Sequence, residues 1–162
     1  MQNFEFEHNG KKLWYSRSLA VSALVHFIKD GEIYILANKR GAGAEFNQHL
    51  WNLPGGFVDF NETAEQAACR ETLEETGYII YPEQCSLVEL DTNPKNSWRQ
   101  TMVAKFNVSL EEEPKFFENF RIENTNGEVE EIAWITLQDV DELNWVRGQK
   151  EYIKEFFNIL EK

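Results

Sequence analysis

The sequence predicts an α/β domain in which helices cover a β-sheet. Its 162 residues are 42% apolar and 27% charged, which suits one globular domain that can bury its own core. Segments with the apolar patterns of strands are mixed with two helical segments. No internal repeat and no linker rich in Pro, Gly or Ser interrupts the chain. We therefore expect a single domain over residues 1–162.

The first strands are predicted as a hairpin. Residues 19–27 form an almost continuous apolar run, which predicts a largely buried strand. Asp30 and Gly31 are typical turn residues, and residues 32–37 are the predicted partner strand. Residues 41–48 should form a loop, and residues 57–60 a short extended segment before the first helix.

The first helix has both of its ends marked in the sequence. Thr63 and Gln66 have the form of a capping box, which predicts that the helix begins at residue 64. Gly77 is a typical left-handed stop, so the helix should end at residue 76.

The second half of the chain completes the sheet and supplies another helix. Strands are predicted near residues 87–91, 101–108 and 129–136, with a short helical turn at 139–143. The final segment has apolar residues at helical spacing and should pack on the core. These residues are Ile153, Phe156, Phe157 and Leu160.

The chain is strongly acidic. It has 16 Lys and Arg against 28 Asp and Glu, a net charge of -12, so it should repel nucleic acids and anionic membranes. An anionic substrate remains compatible with this charge if divalent cations bridge the substrate and the protein.

The sequence gives a simple expectation for location. No secretory leader and no apolar run long enough to span a bilayer is visible, so a cytoplasmic protein is expected. Two cysteines are too few for a disulfide framework.

Three glutamates share one face of the predicted first helix. Glu71, Glu74 and Glu75 lie within about 100° of arc, because positions i, i+3 and i+4 are neighbours on a helix. Three carboxylates repel one another, and Arg70 beside them can neutralise only one. Clustered oxygen ligands suit a hard cation such as Mg²⁺ or Mn²⁺. A solvated acidic face is the alternative that the helix alone leaves open.

A longer spacing pattern surrounds these glutamates. It resembles the Nudix box, G-x5-E-x7-R-E-U-x-E-E-x-G-U, in which U is a bulky aliphatic residue. Thr72 and Tyr78 occupy the U positions and depart from the pattern at points that concern packing. Residues 50–58 also resemble the strand and turn that precede the box in this family. The invariant positions are all filled, by Gly56, Glu62, Arg70, Glu71, Glu74, Glu75 and Gly77.

The resemblance implies a fold and a chemistry. The family fold is an α/β/α sandwich around a mixed sheet, and its enzymes use water and Mg²⁺ or Mn²⁺ to cleave a pyrophosphate linkage in a nucleoside diphosphate derivative. Arg70 would orient Glu71, and Glu62 would support the geometry between loop and helix. The resemblance is also compatible with a homodimer. The implied metal ligands are the Gly56 carbonyl, Glu71, Glu74 and Glu75.

The general base is less closely defined by the resemblance. Relatives use either a box glutamate or an acidic residue on a later loop. A comparable position before a strand is occupied here by Glu128, Glu130 and Glu131. The alternative is that all three are simply charged residues at the edge of the sheet. We favour Glu128, because strand alternation should leave Glu130 and Glu131 solvated. The predicted catalytic residues are thus Glu71, Glu74, Arg70 and Glu128.

The substrate is indicated only weakly. Pro94 lies 16 residues beyond Tyr78, a spacing that resembles ADP-ribose pyrophosphatases of the family, although it could also mark an ordinary turn. ADP-ribose is therefore favoured. Nucleotide sugars, nucleoside triphosphates and a domain that senses a nucleotide without cleaving it are the alternatives. The candidate substrate-binding residues are Arg40, Phe46, Trp98 and Arg99.

Overall fold

The structure, a computed structural model, describes residues 4–95, 101–114 and 125–160. Within these ranges, no helix is long and apolar enough to cross a membrane. Single 3₁₀ turns lie at Pro82–Gln84 and Asp139–Asp141. The strands are β1 (Phe4–His8), β2 (Lys11–Tyr15), β3 (Leu19–Lys29), β4 (Glu32–Arg40), β5 (Trp51–Asn52), β6 (Ser86–Asp91), β7 (Met102–Ser109) and β8 (Val129–Thr136), and the helices are α1 (Ala64–Thr76) and α2 (Gln149–Leu160).

The main sheet is mixed. Its strand order is β5-β4-β3-β7-β6, and β8 pairs with β4. Only the pairing of β3 with β7 is parallel among the strand pairs of the described residues. Strands β1 and β2 form a separate antiparallel hairpin that the sequence patterns did not predict.

A helix covers each face of the main sheet. Alternate residues of β3 contribute to two hydrophobic cores, as expected from the period of a strand. Ala23 packs in the core beneath α1, together with Ala67 and Ala68 of that helix. Leu24 packs in the opposite core, together with Ile153 of α2. The predicted α/β/α sandwich around a mixed sheet is thereby confirmed.

Helix α1 has the predicted limits. The Thr63 hydroxyl accepts from the Gln66 amide, and the Gln66 side chain accepts from the Thr63 amide, so the capping box is complete. Gly77 ends the helix with a φ of 70° and donates to the Leu73 carbonyl. Because both ends depend on local hydrogen bonds, the sequence could define them.

The segment before α1 is extended, as predicted, only in its first residues. Residues 57–60 do not form a strand, since Phe57 makes only an isolated bridge with Ala20. The Val58 amide donates to the Leu19 carbonyl, and the chain then turns, with the Glu62 amide donating to the Asp59 carbonyl. The extended backbone is therefore diverted at once toward the helix start.

The chain between β5 and α1 runs into the middle of the sheet. Regular pairing of β3 with β4 extends only to His26 and Ile35. Beyond that point the segment 54–56 follows β3, because the Ala23 amide donates to the Pro54 carbonyl and the Val21 amide to the Gly56 carbonyl, both at 2.8 Å. Residues 54–56 are thus held beneath α1.

Candidate active site

Arg70 is the centre of a hydrogen-bond network on α1. Its guanidinium donates to both oxygens of Glu62, at 2.6 and 3.1 Å, and to Glu71 Oε1 at 2.7 Å. It also donates to Glu74 Oε2 at 3.2 Å and to the Phe57 carbonyl at 2.9 Å. One cation is therefore shared by three carboxylates and by the loop that precedes the helix.

The network includes Glu62, to which the resemblance gives the role of supporting the geometry between loop and helix. Hydrogen bonds from Arg70 and from the Asp59 amide hold the pKa of Glu62 below its usual value. The pKa of Arg70 is raised by its bonds to Glu62 and Glu71. The Glu62 and Glu71 side chains are each only 14% exposed, against 60% for Glu74, so Arg70 fixes the inner two carboxylates more firmly than the outer one.

Gly56 allows the closest approach between backbone and helix. The Glu71 carboxylate lies where a Cβ of residue 56 would stand, so any larger residue would displace it. Burial raises the pKa of Glu71, and the bonds from Arg70 oppose this shift. The structure thus brings together Gly56, Glu71 and Arg70, as the resemblance to the box implies.

Glu75 is the most perturbed carboxylate of the site. Its Oε2 accepts a hydrogen bond of 3.0 Å from the Gly55 amide. The pKa of Glu75 is raised to about 8, chiefly by burial and in smaller part by the charges of Glu71 and Glu128, while the Gly55 hydrogen bond and the charge of Arg40 oppose the rise. Glu75 therefore lies within electrostatic reach of two charged residues, Arg40 and Glu128, that come from distant parts of the chain.

Glu128 reaches the site through a contact between two loops. The Gly41 amide donates to the Glu128 carbonyl at 2.7 Å, and the Gly43 amide to the Gly127 carbonyl at 2.8 Å. A Cβ at Gly41 or Gly43 would collide with this backbone. The sequence analysis did not anticipate this contact, although the Gly-x-Gly spacing at 41–43 was a visible signal. Whether Glu128 acts as the base stays a prediction.

The two neighbouring glutamates differ from each other. Glu130 accepts from Lys39 Nζ at 3.0 Å and pairs with His49 Nδ1 at 2.8 Å, and its side chain is 30% exposed, so it is partly solvated. It lies at a break in the β4–β8 register, in which Lys39 faces Glu131 but the next residue of β4 faces Val129. Glu131 is 55% exposed, as expected.

Two of the candidate substrate-binding residues lie in the described part of the chain. Arg40 Nε donates to the Phe46 carbonyl at 2.9 Å, and the Phe46 side chain is exposed. Trp98 and Arg99 lie outside the described residues. Pro94 lies in a turn, and its neighbours form backbone hydrogen bonds to the side chains of Asp91 and Asn93. The substrate roles remain predictions.

The predicted metal ligands fit a divalent cation by their chemistry. Among residues 4–95, 101–114 and 125–160, no three His, Cys, Asp or Glu side chains lie close enough together to hold a metal ion, and Arg70 donates to both Glu71 and Glu74. The donor set is nevertheless all oxygen, as Mg²⁺ and Mn²⁺ prefer, and a cation beside Glu75 would favour the charged form of this carboxyl, which burial disfavours.

Comparison with known proteins gives a family match and several relatives. A family model described as NUDIX domain matches residues 17–156. A putative 8-oxo-dGTP diphosphatase of Bacillus subtilis (strain 168) is 72% identical over 29 residues, 18% of this chain and 20% of that protein. The chain spans half or less of the length of the first curated relatives it matches.

Solved structures resemble the chain over most of its length. The NUDIX domain of Shewanella oneidensis NrtR complexed with ADP ribose has a TM-score of 0.72 at 20% identity, covering 90% of both chains. A bifunctional NMN adenylyltransferase/ADP ribose pyrophosphatase from Francisella tularensis, complexed with AMP and Mn, has a TM-score of 0.67 at 25% identity, covering 90% of this chain and 42% of that one. The first likeness supports the fold alone.

Proposed function

Because the chain belongs to the Nudix family, we propose that it is a divalent-metal-dependent hydrolase of a pyrophosphate linkage in a nucleoside diphosphate derivative, with ADP-ribose as the favoured substrate. The observation that carries this proposal is the acidic face of α1 against the turn at residues 55 and 56. Glu71 lies against Gly56, Glu75 accepts from the Gly55 amide, and Arg70 orients Glu71.

The charge of the site explains why a cation is required. A pyrophosphate is anionic, and this part of the chain presents carboxylates to it, so the two would repel each other without cations between them. Gly56, Glu71, Glu74 and Glu75 would hold Mg²⁺ or Mn²⁺. The bound cation would neutralise the pyrophosphate and lower the pKa of a water molecule.

The residues around these ligands would orient them and move protons. Arg70 keeps Glu71 against Gly56, and Glu62 in turn fixes Arg70 from the side of the loop. The Gly55 amide orients one oxygen of Glu75. The Gly41 amide holds the backbone of Glu128, and Glu128 lies within electrostatic reach of Glu75. From this position Glu128 would accept the proton of the attacking water.

Two observations bear on the substrate class. The ADP-ribose and AMP bound to the two similar structures favour a nucleoside diphosphate derivative, and Arg40 lies within electrostatic reach of Glu75, where a substrate phosphate would lie. The short, close match to a putative 8-oxo-dGTP diphosphatase favours a second candidate, hydrolysis of a nucleoside triphosphate.

The first test is a panel of substrates in the presence of Mg²⁺ or Mn²⁺, with chelated protein as the control. The panel contains ADP-ribose, nucleotide sugars, dinucleoside polyphosphates and nucleoside triphosphates. We expect ADP-ribose and water to give AMP and ribose 5-phosphate, and chelation to stop the reaction. Preferred release of pyrophosphate from a triphosphate would reject ADP-ribose and keep the chemistry. Saturable binding without turnover of any compound would support a nucleotide sensor instead.

The predicted base can be tested with a matched pair of variants. We expect Glu128→Gln to lower kcat by about 10²-fold or more, because the amide cannot accept the proton of water, with little change in KM. Glu131→Gln is the control, since Glu131 lies further along the same segment, is exposed as Glu128 is, and faces Lys39, whose Nζ lies 3.9 Å from its carboxylate. The measurement is kcat and KM of both variants under steady-state conditions. Equal kcat values for the two variants would exclude Glu128 as the base.

A further inference from the structure

Asn38 has an unusual environment for a polar side chain. It lies on β4 and has no exposed surface, and both its Nδ2 and its Oδ1 lack a hydrogen-bond partner among the described residues. A buried amide without partners destabilises a fold relative to an apolar side chain of the same size. The local packing of the sheet therefore does not explain an asparagine at this position.

The side chain of Asn38 faces α1. Along β4, Ile35 and Ala37 belong to the core beneath α2, whereas Leu36 packs with the alanines of α1. Strand alternation places Asn38 and Arg40 on the same face as Leu36. Arg40 lies within electrostatic reach of Glu75, so Asn38 stands between the middle of α1 and its acidic end.

The strand next to Asn38 leads directly into the turn that contacts Glu75. Asn38 is paired with Asn52 of β5. From there the chain reaches β3 within two residues, where Pro54 accepts from the Ala23 amide, and Gly55 then donates to Glu75 Oε2. The bond to Gly55 uses one carboxylate oxygen of Glu75 and leaves Oε1 for other partners.

We propose that Asn38 is a positioning residue for Glu75, whose Oε1 accepts a hydrogen bond from the buried amide of Asn38 when the carboxylate turns toward a divalent cation. A buried ionised carboxylate needs several donors. Gly55 supplies one, and Asn38 Nδ2 is a donor on the same face that has no other assignment. The inference rests on the proposed metal-dependent function and adds a residue outside the box to its metal site.

The test compares Mn²⁺ affinity with stability, using calorimetric titration and thermal unfolding of the metal-free protein. Asn38→Leu should weaken Mn²⁺ binding by about 10- to 100-fold, as loss of a partner of a metal ligand does, while the unfolding temperature stays equal or rises because a buried orphan amide is removed. Ser22→Ala is the matched control. Ser22 is 8% exposed with an unpartnered Oγ, and alternation along β3 turns it toward α2, so its replacement should leave Mn²⁺ affinity unchanged.

The outcomes separate this inference from the function on which it rests. Unchanged Mn²⁺ affinity in folded Asn38→Leu overturns the inference alone. Failure of the unmodified chain to bind Mn²⁺ overturns the metal-dependent function and the inference with it. If Asn38→Leu does not fold, the side-chain amide resonances of Asn38 in the unmodified protein decide the matter. We expect them to shift when Mg²⁺ is added, and resonances that stay in place overturn the inference.

Discussion

Glu75→Gln is expected to reduce turnover by about 10²- to 10³-fold, the range typical of losing one electrostatic contact to a transition state. Glutamine keeps the shape of the side chain and an oxygen that can accept from the Gly55 amide. It cannot supply the negative charge that a divalent cation requires. The measurement is the initial rate on the substrate identified from the panel, over a range of Mg²⁺ concentrations.

The control for this loss is Glu151→Gln, an exposed glutamate on α2, on the other side of the sheet. Its rate should match that of the unmodified protein. Turnover by Glu75→Gln within a few-fold of the unmodified rate would remove Glu75 from the site and leave Glu71 and Glu74 as the candidate carboxylates.

The same substitution should stabilise the metal-free protein at alkaline pH. Burial raises the pKa of Glu75 from an ordinary 4.5 to about 8, so between these values the folded state holds a proton that the unfolded state has lost. The free energy of unfolding must therefore fall as pH rises through this window. Glutamine has no such titration. In chelator, Glu75→Gln should unfold at a higher temperature than the unmodified protein at pH 8.5 and at nearly the same temperature at pH 4.5.

Parallel changes of stability with pH in the two proteins would contradict this explanation. The opposite signs expected for activity and stability have one cause, because a buried charge that is costly in the metal-free fold is the charge that the cation needs.

Local signals explain which parts of the fold could be predicted. Both ends of helix α1 lie where the sequence predicts them. Thr63 and Gln66 cap its first turn and Gly77 ends its last turn, so each signal depends only on neighbouring residues. The β1–β2 hairpin was missed even though its turn has a clear signal in Asn9 and Gly10, with φ of 52° and 72°. The flanking segments are short and mostly exposed, so they lack the apolar run that marked β3.

Contacts between distant segments explain what could not be predicted in the site. The spacing along one helix was enough to place Arg70 beside Glu71, and the resemblance to the box added Glu62 from the loop before the helix. The loop pairing that brings Glu128 near Glu75 and the register break at Glu130 both depend on how β4 meets β8. Such pairings depend on the arrangement of the whole sheet. A local sequence pattern does not show which distant segment a strand will pair with.

Arg70→Lys is expected to destabilise the protein by about 1–3 kcal/mol, the range for leaving charge-assisted hydrogen bonds of a partly buried network unmade. Arg70 donates to Glu62 from two nitrogens and reaches Glu71, Glu74 and the Phe57 carbonyl with the same fork. A lysine ammonium is a single point of charge and cannot span these acceptors. The measurement is urea unfolding of the metal-free protein.

Two further variants show whether geometry or charge is responsible. Arg147→Lys is the control, because Arg147 is exposed and its change should leave the unfolding midpoint in place. Arg70→Ala removes the charge as well as the fork. If Arg70→Lys is nearly as unstable as Arg70→Ala, the planar fork is what holds Glu62 and Glu71, whose side chains are each 14% exposed. If Arg70→Lys instead behaves like the unmodified protein, charge alone is sufficient and the proposed orienting role of Arg70 is wrong.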